Sequence, residues 1–115
     1  MFDQNINVVA KFLDVSALRH KVVAHNIANV NTSNFKRKEV VFEDLLQNGS
    51  ADNKRLLKVK PQVVEVEENE RVDDNSTYLQ DEVGTLTKNN LLQQAYLRSL
   101  TFQIRGLNGA IRGHF

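Results

Sequence analysis

Apolar residues recur at alternating steps of three and four along both ends of this chain, and that pattern limits what it can fold into. Towards the C-terminus, Val83, Leu86, Asn90, Gln93, Leu97, Leu100, Ile104, Leu107 and Ile111 keep the alternation unbroken, and seven of the nine are apolar. Four heptads of this spacing argue for a helix with a left-handed coiled-coil seam. Towards the N-terminus, Ile6, Val9, Leu13, Ser16, His20, Val23, Ile27 and Val30 do the same, with six of eight apolar. Ala10, Ala17 and Ala24 repeat every seventh residue beside them, a thin edge that another backbone can approach. Neither Pro nor Gly interrupts this first stripe. A helix of about 28 residues is roughly 42 Å long, too long for a compact globule of this size to cover alone. Two such stripes need partners, and each other is the nearest choice.

Local signals set the expected boundaries. Asn31-Thr32-Ser33-Asn34 is a cluster of turn and cap formers that closes the first helix. Thr77-Tyr78-Leu79-Gln80 fits a capping box opening the last one. Gly84 inside that pattern costs about 1 kcal/mol relative to Ala. Gly106, Gly109, Ala110 and Gly113 place small residues on another face near its end. Asn90 and Gln93 are polar on the seam; they either fix register across an interface or sit in water. The middle of the chain has no clean period. Leu57, Val59, Val64 and Val66 hint at two short strands around Pro61, while Gln47–Asn53 is polar and loop-like. The middle is a small β element or a segment that orders on assembly. The expected organisation is one domain over 1–115: an N-terminal helix in 1–31, a loop and short-strand segment in 32–77, and a C-terminal helix in 78–113.

Composition removes several function classes. Fifteen basic and fourteen acidic residues leave a formal charge of +1, too balanced for a nucleic-acid or anionic-membrane binder. Lys36-Arg37-Lys38 is a basic run of three and reads as solvated surface. Glu65 to Asp74 is acid-rich but lacks the spacing of a calcium loop, and reads as a solvated acidic face. No cysteine is present, so disulfides and thiolate metal sites are excluded. His20 and His25 stand about 140° apart on a helix and cannot share a metal from one face. His20 reads as a seam residue and His25 as a surface one. There is no phosphate-binding glycine loop and no nucleophile elbow. No cofactor, metal or catalytic residue is therefore expected. No apolar run approaches the roughly 18 residues of a membrane span, and the first residues lack the charged and apolar regions of a signal peptide.

Two segments go beyond generic helices. Ala17 to Lys36 contains Asn26-Ile27-Ala28-Asn29, then Asn31-Thr32, then Phe35-Lys36. It resembles the N-terminal signature of the bacterial flagellar rod and hook axial proteins, a hydrophobic helix ending in N-N-I-A-N-x-N-T-P-G-[FY]-K. Asp74-Asn75 and Leu79 to Gly113 resemble the C-terminal part of the short rod members, which the chain's length also fits. The resemblance covers about two-thirds of the chain. His25 replaces the usual Asn, and Ser33-Asn34 replaces Pro-Gly. Asn is the residue besides Gly that best tolerates a left-handed conformation, so Asn34 can still close the helix. Without Pro, Thr32 loses the steric push out of helix.

The resemblance implies a mainly α fold, with the two end helices paired as an antiparallel coiled coil. It implies a structural subunit of the flagellar basal-body rod, the drive-shaft that transmits torque through the cell envelope. Implied partners are further copies, other rod and axial proteins, rod-base components at the membrane ring, and the flagellar type III export apparatus. The last would export the chain without a cleaved signal peptide. Asn26, Ile27, Ala28, Asn29, Asn31, Thr32, Phe35 and Lys36 are the signature residues. Ile6, Leu13, Val23, Ile27, Leu86, Leu97, Leu100, Ile104, Leu107 and Ile111 are the expected helix-packing residues. Phe2 and Ile6 match a Phe-x-x-x-apolar export-gate motif, or else belong to ordinary helix-start packing; Phe42 and Leu46 match the same short pattern. The competing reading is a cytoplasmic coiled-coil adaptor or export chaperone.

Overall fold

A computed structural model describes residues 2–47, 53–66 and 75–112. In chain order the elements are α1 (Phe2–Ala28), β1 (Lys38–Val41), α2 (Glu43–Gln47), α3 (Asn53–Lys58), β2 (Gln62–Glu65) and α4 (Asn75–Arg112). The fold is mainly helical. The 27-residue α1 packs against the 38-residue α4, and β1 and β2 form a small antiparallel sheet beside them. The particle measures 61 × 28 × 14 Å. Its long dimension is set by α4, roughly 57 Å at 1.5 Å per residue.

Four contacts fix α1 and α4 as antiparallel. Going up α1 they are Phe12 stacked on Tyr96, Ser16 with Asn89, His20 with Asn90 and Asn26 with Glu82. From Phe12 to Asn26 on α1 the partner moves back along α4 from Tyr96 to Glu82, with Ser16 and His20 meeting the adjacent pair Asn89 and Asn90 between them.

The apolar core lies beside the α1–α4 contact, and Phe12 touches both. Val15, Phe42 and Leu56 are buried, with Val8, Phe12, Val40, Leu46 and Val59 packed around them. Phe42 follows β1 directly and is fully enclosed. Its ring meets Phe12 edge-on at 5.8 Å between centroids, a favoured aromatic geometry. Leu56 of α3 closes the core. Helices too short to persist alone are held by these few contacts rather than by intrinsic propensity.

The middle segment departs from expectation in one respect. A strand follows Pro61, as the alternation suggested, but its partner is not the segment immediately before Pro61. Leu57 sits in α3 instead, and the partner strand is Lys38–Val41. Lys38 pairs with Glu65, Glu39 with Val64, Val40 with Val63 and Val41 with Gln62. Burying Leu56 against α1 asks for a helical turn at Asn53–Lys58, and the short alternation there is overridden. Pro61 stands just before β2, where its missing N–H costs no ladder bond.

Asn34 has φ 61°, the left-handed region. It serves the turn in which Phe35 N–H donates to the Thr32 carbonyl at 3.2 Å, six residues beyond the end of α1. Asn34→Gly should be neutral or stabilising by a few tenths of a kcal/mol, because glycine adopts this conformation freely. Asn34→Val should cost about 1–2 kcal/mol. Urea titrations of both variants check the pair.

Candidate assembly surface

The signature residues build the exit from α1. The Asn29 backbone N–H and side-chain amide both donate to the His25 carbonyl, at 3.1 and 2.9 Å, which caps the helix end. Thr32 N–H donates to the Asn29 carbonyl at 2.9 Å, and its hydroxyl to Asn29 Oδ1 at 3.2 Å. Phe35 then folds back so that its ring lies 5.4 Å from that of His25. Val30 N–H reaches the Ile27 carbonyl at 3.3 Å. Ile27 is half-buried; Ala28, Asn31, Thr32 and Lys36 are exposed.

Asn26 has a different task. It is buried, and its amide reads the Lys38 peptide on both sides. Nδ2 donates to the Lys38 carbonyl at 2.8 Å, and Oδ1 accepts the Lys38 N–H at 2.9 Å. The side chain acts as one residue of an additional strand beside β1. Only a primary amide supplies donor and acceptor together in this way.

Beside Asn26 sits Glu82 of α4, 4 % exposed. Its carboxylate accepts Arg37 Nε at 2.6 Å and lies 3.5 Å from Asn26 Nδ2. Arg37 also holds Glu39 at 2.8 Å. Burial works to lower the Arg37 pKa, but the Glu82 and Glu39 carboxylates outweigh it and raise the value. This junction ties α1, β1 and α4 at one point. Arg37 is therefore not a solvated member of a basic run. A buried carboxylate is tolerated only with such partners.

A second ion pair joins α1 to α2. Arg19 Nη1 donates to Glu43 Oε1 at 2.7 Å, and Arg19 Nη2 contacts Glu43 Oε2. The Arg19 hydrogen bond pulls the Glu43 pKa below its usual value. The stabilisation this gives is present above the ordinary carboxylate range and is lost as pH falls through the lowered value. Glu43 is half exposed, so the effect stays within about 1 kcal/mol. Glu43→Gln should flatten the acid limb of a stability–pH curve by that amount while leaving neutral and alkaline behaviour parallel to the parent.

The surface of α4 towards α1 is polar. Glu82, Asn89 and Tyr96 stand seven apart and each touches α1. Asn89 donates to the Ser16 carbonyl at 2.8 Å, and Asn90 meets His20 at 3.3 Å. Leu86, Gln93, Leu100 and Leu107 form the half-buried second row. The expected packing row is thus displaced by one residue on one side. Val83, Leu97, Ile104 and Ile111 stay 45, 53, 42 and 75 % exposed, although Leu97 lines a cavity together with Leu13 of α1. On α1, Val23 is buried, and Ile6 and Leu13 are half-buried. The reason is competition: Val8, Phe12 and Val15 are already engaged with Phe42 and Leu56. The flank left for α4 carries Ser16 and His20, whose matches are Asn89 and Asn90. Helix α4 also begins at Asn75, so Thr77 lies within it and not at its cap. Phe2 is in α1, but its side chain falls outside the described ones.

Glu82, Asn89, Arg19 and Glu43 escaped sequence reading as contributors, and Phe42 entered it only through a short motif, not as the centre of the core. Only Glu82 carried a signal, as one of the acid pair Asp81-Glu82 adjoining the heptad pattern. Among the described residues, no three His, Asp or Glu side chains cluster as a metal site would need. None of the helices searched is long and apolar enough to cross a membrane.

The described residues thus form an elongated helical pair, pinned at a polar junction and presenting a row of exposed aliphatic side chains on α4. No protein-family model matches the chain. Flagellar basal body rod protein FlgB of Aquifex aeolicus is 26 % identical over 117 aligned positions, covering 96 % of this chain and 94 % of that protein. FlgB of Borrelia hermsii is 42 % identical over 62 residues, half of this chain and 46 % of that protein. The chain thus spans nearly all of the first relative and about half of the second. A flagellar basal-body rod protein FlgG from Buchnera aphidicola matches 34 residues at 50 % identity, only 13 % of its length. The similarity of this chain is to flagellar basal body rod proteins, and to FlgB among them.

Proposed function

We infer that the chain is a structural subunit of the bacterial flagellar basal-body rod. The single observation that carries this is end-to-end similarity to FlgB of Aquifex aeolicus. The antiparallel α1–α4 pair and the exposed aliphatic row on α4 support the same reading, because an axial tube needs helices that bury a second face only on assembly. Mechanically, the junction at Asn26, Arg37, Lys38 and Glu82 holds α1, β1 and α4 in a fixed relation, so force on one helix reaches the other. The signature residues Asn29, Thr32 and Phe35 set the exit angle of the chain from α1. The subunit works by packing against further copies and other rod proteins, without catalysis. Its finer placement is in the envelope-spanning part of the rod, reached through the flagellar export apparatus, with Phe2 and Ile6 as the segment that apparatus would meet.

Deletion of the gene in its host, complementation with a tagged copy, and mass spectrometry of purified basal bodies test this. The expected result is loss of motility on deletion and recovery of the chain in the rod fraction. A chain found only in the cytosol, with intact rods in its absence, overturns the reading in favour of an export chaperone.

A further inference from the structure

The far half of α4 carries a charged apolar surface that nothing in the described part of the subunit uses. Leu97, Arg98, Thr101, Phe102 and Arg105 line one shallow depression. Phe102 is 78 % exposed, the most exposed of the large apolar side chains among the described residues. Neither Arg98 nor Arg105 holds an ion pair among the described residues. From Val83 to Arg112 the helix has four basic residues, Lys88, Arg98, Arg105 and Arg112, and no acid. A bare aromatic flanked by two guanidinium groups that hold no ion pair among the described residues fits an acidic segment with apolar residues between its charges.

The chain contains one such segment. Glu65 to Asp74 holds six acids and one base, with Val66 and Val72 among them. It cannot serve its own α4. Val66 is fixed to Arg37 by a 2.9 Å backbone bond, and Asn75 begins α4. The eight residues between can reach out and back only about 15 Å. Arg98 lies about 35 Å along the helix from Asn75, and more than about 20 Å from Glu82, which Arg37 holds.

We propose that this surface of α4 receives the acidic Glu65–Asp74 segment of a second copy of the chain. The contact joins unlike surfaces, so it is head-to-tail and open-ended rather than a closed dimer. Charge complementarity sets its direction, and the Leu97–Phe102 apolar centre supplies the buried area. This names the partner of the assembly surface and rests on the rod reading only for its biological setting.

Self-association of the purified chain can be followed by analytical ultracentrifugation in low and high salt. The expected result is association that weakens with salt. The double variant Arg98→Glu, Arg105→Glu should weaken it at least tenfold with unchanged circular dichroism, since both arginines are exposed and unpaired among the described residues. Adding Glu67→Lys and Glu68→Lys to the same chain should restore it. The chain has no cysteine, so Glu68→Cys and Arg98→Cys copies, mixed and oxidised, should form a mixed disulfide. Association indifferent to the reversal, no rescue by the exchanged charges, or a monomer that gives no crosslink each overturns the proposal. In cells the two readings separate: normal rods and motility with the arginine reversal defeat this contact alone. Absence of the chain from basal bodies defeats the rod assignment instead.

Discussion

Replacing Asn26 with aspartate should damage this protein more than replacing it with alanine. Alanine removes both hydrogen bonds to the Lys38 peptide, at 2.8 and 2.9 Å, and leaves a partly buried N–H and C=O without partners. Unmet buried polar groups cost about 1–3 kcal/mol each, so a loss of about 2–4 kcal/mol is expected. Aspartate keeps the acceptor for the Lys38 N–H but turns the donor into a second anion. That anion faces the Lys38 carbonyl and lies beside Glu82, itself 4 % exposed. Arg37 is then the near cation for two carboxylates, and it is already shared with Glu39. An uncompensated buried charge costs about 3–5 kcal/mol.

The aspartate variant should also carry a pH signature that the alanine variant lacks. Burial and the neighbouring Glu82 raise the new carboxyl's pKa in the folded state. Its protonated form is therefore favoured by folding, and the penalty shrinks as pH falls. Measured against the parent, the aspartate variant should recover part of its deficit between pH 7 and pH 4.5, while the alanine variant should not. Urea unfolding at the two pH values reads this directly. Equal deficits at both pH values would mean that Asn26 matters only by its shape.

Phe42→Ala should be the most destabilising single change in the core. Phe42 is fully buried and touches the three elements that make the core cohere. Truncation of a buried phenylalanine costs about 3–5 kcal/mol. For a chain of this size that lowers the melting temperature by on the order of 10–20 °C. The damage should spread unevenly. Phe12 loses its edge-on partner but keeps Tyr96 stacked at 5.6 Å, so α2, α3 and the sheet should loosen before α4 leaves α1. Hydrogen exchange resolved by segment checks the order: protection should fall first at Val40–Leu46 and Leu56. Simultaneous loss along α4 would show that the helical pair depends on this core directly. Phe42→Leu, which keeps most of the volume, should retain the fold with a smaller loss.

Much of this architecture could be read without coordinates. The two apolar repeats located α1 and α4, because a period near 3.6 residues buries one face only in a helix. Asn26 to Phe35 marked where α1 must end, since amide and hydroxyl side chains satisfy the carbonyls and amides a helix end leaves open. The alternation after Pro61 gave β2. Elsewhere local preference was overruled. Leu57 carried a strand-like pattern and lies in a helix. Arg37 belonged to a basic run and is a partner of Glu82. These outcomes depend on contacts between residues 40 or more apart, and no local window contains them.

The division is clearest on α4. Its sequence determined that the segment is helical and that Leu86, Leu100 and Leu107 lie along one line. It also determined that a second apolar line, Val83, Leu97, Ile104 and Ile111, runs beside it. Both lines satisfy the same heptad rule, so the spacing alone could not choose which side meets α1. The tertiary structure chose. Phe42 and Leu56 claim the apolar face of α1, and the remaining flank offers Ser16, His20 and Asn26. Polar groups leaving water must find hydrogen-bond partners, so Asn89, Asn90 and Glu82 turn towards α1, and the aliphatic line is left facing outward.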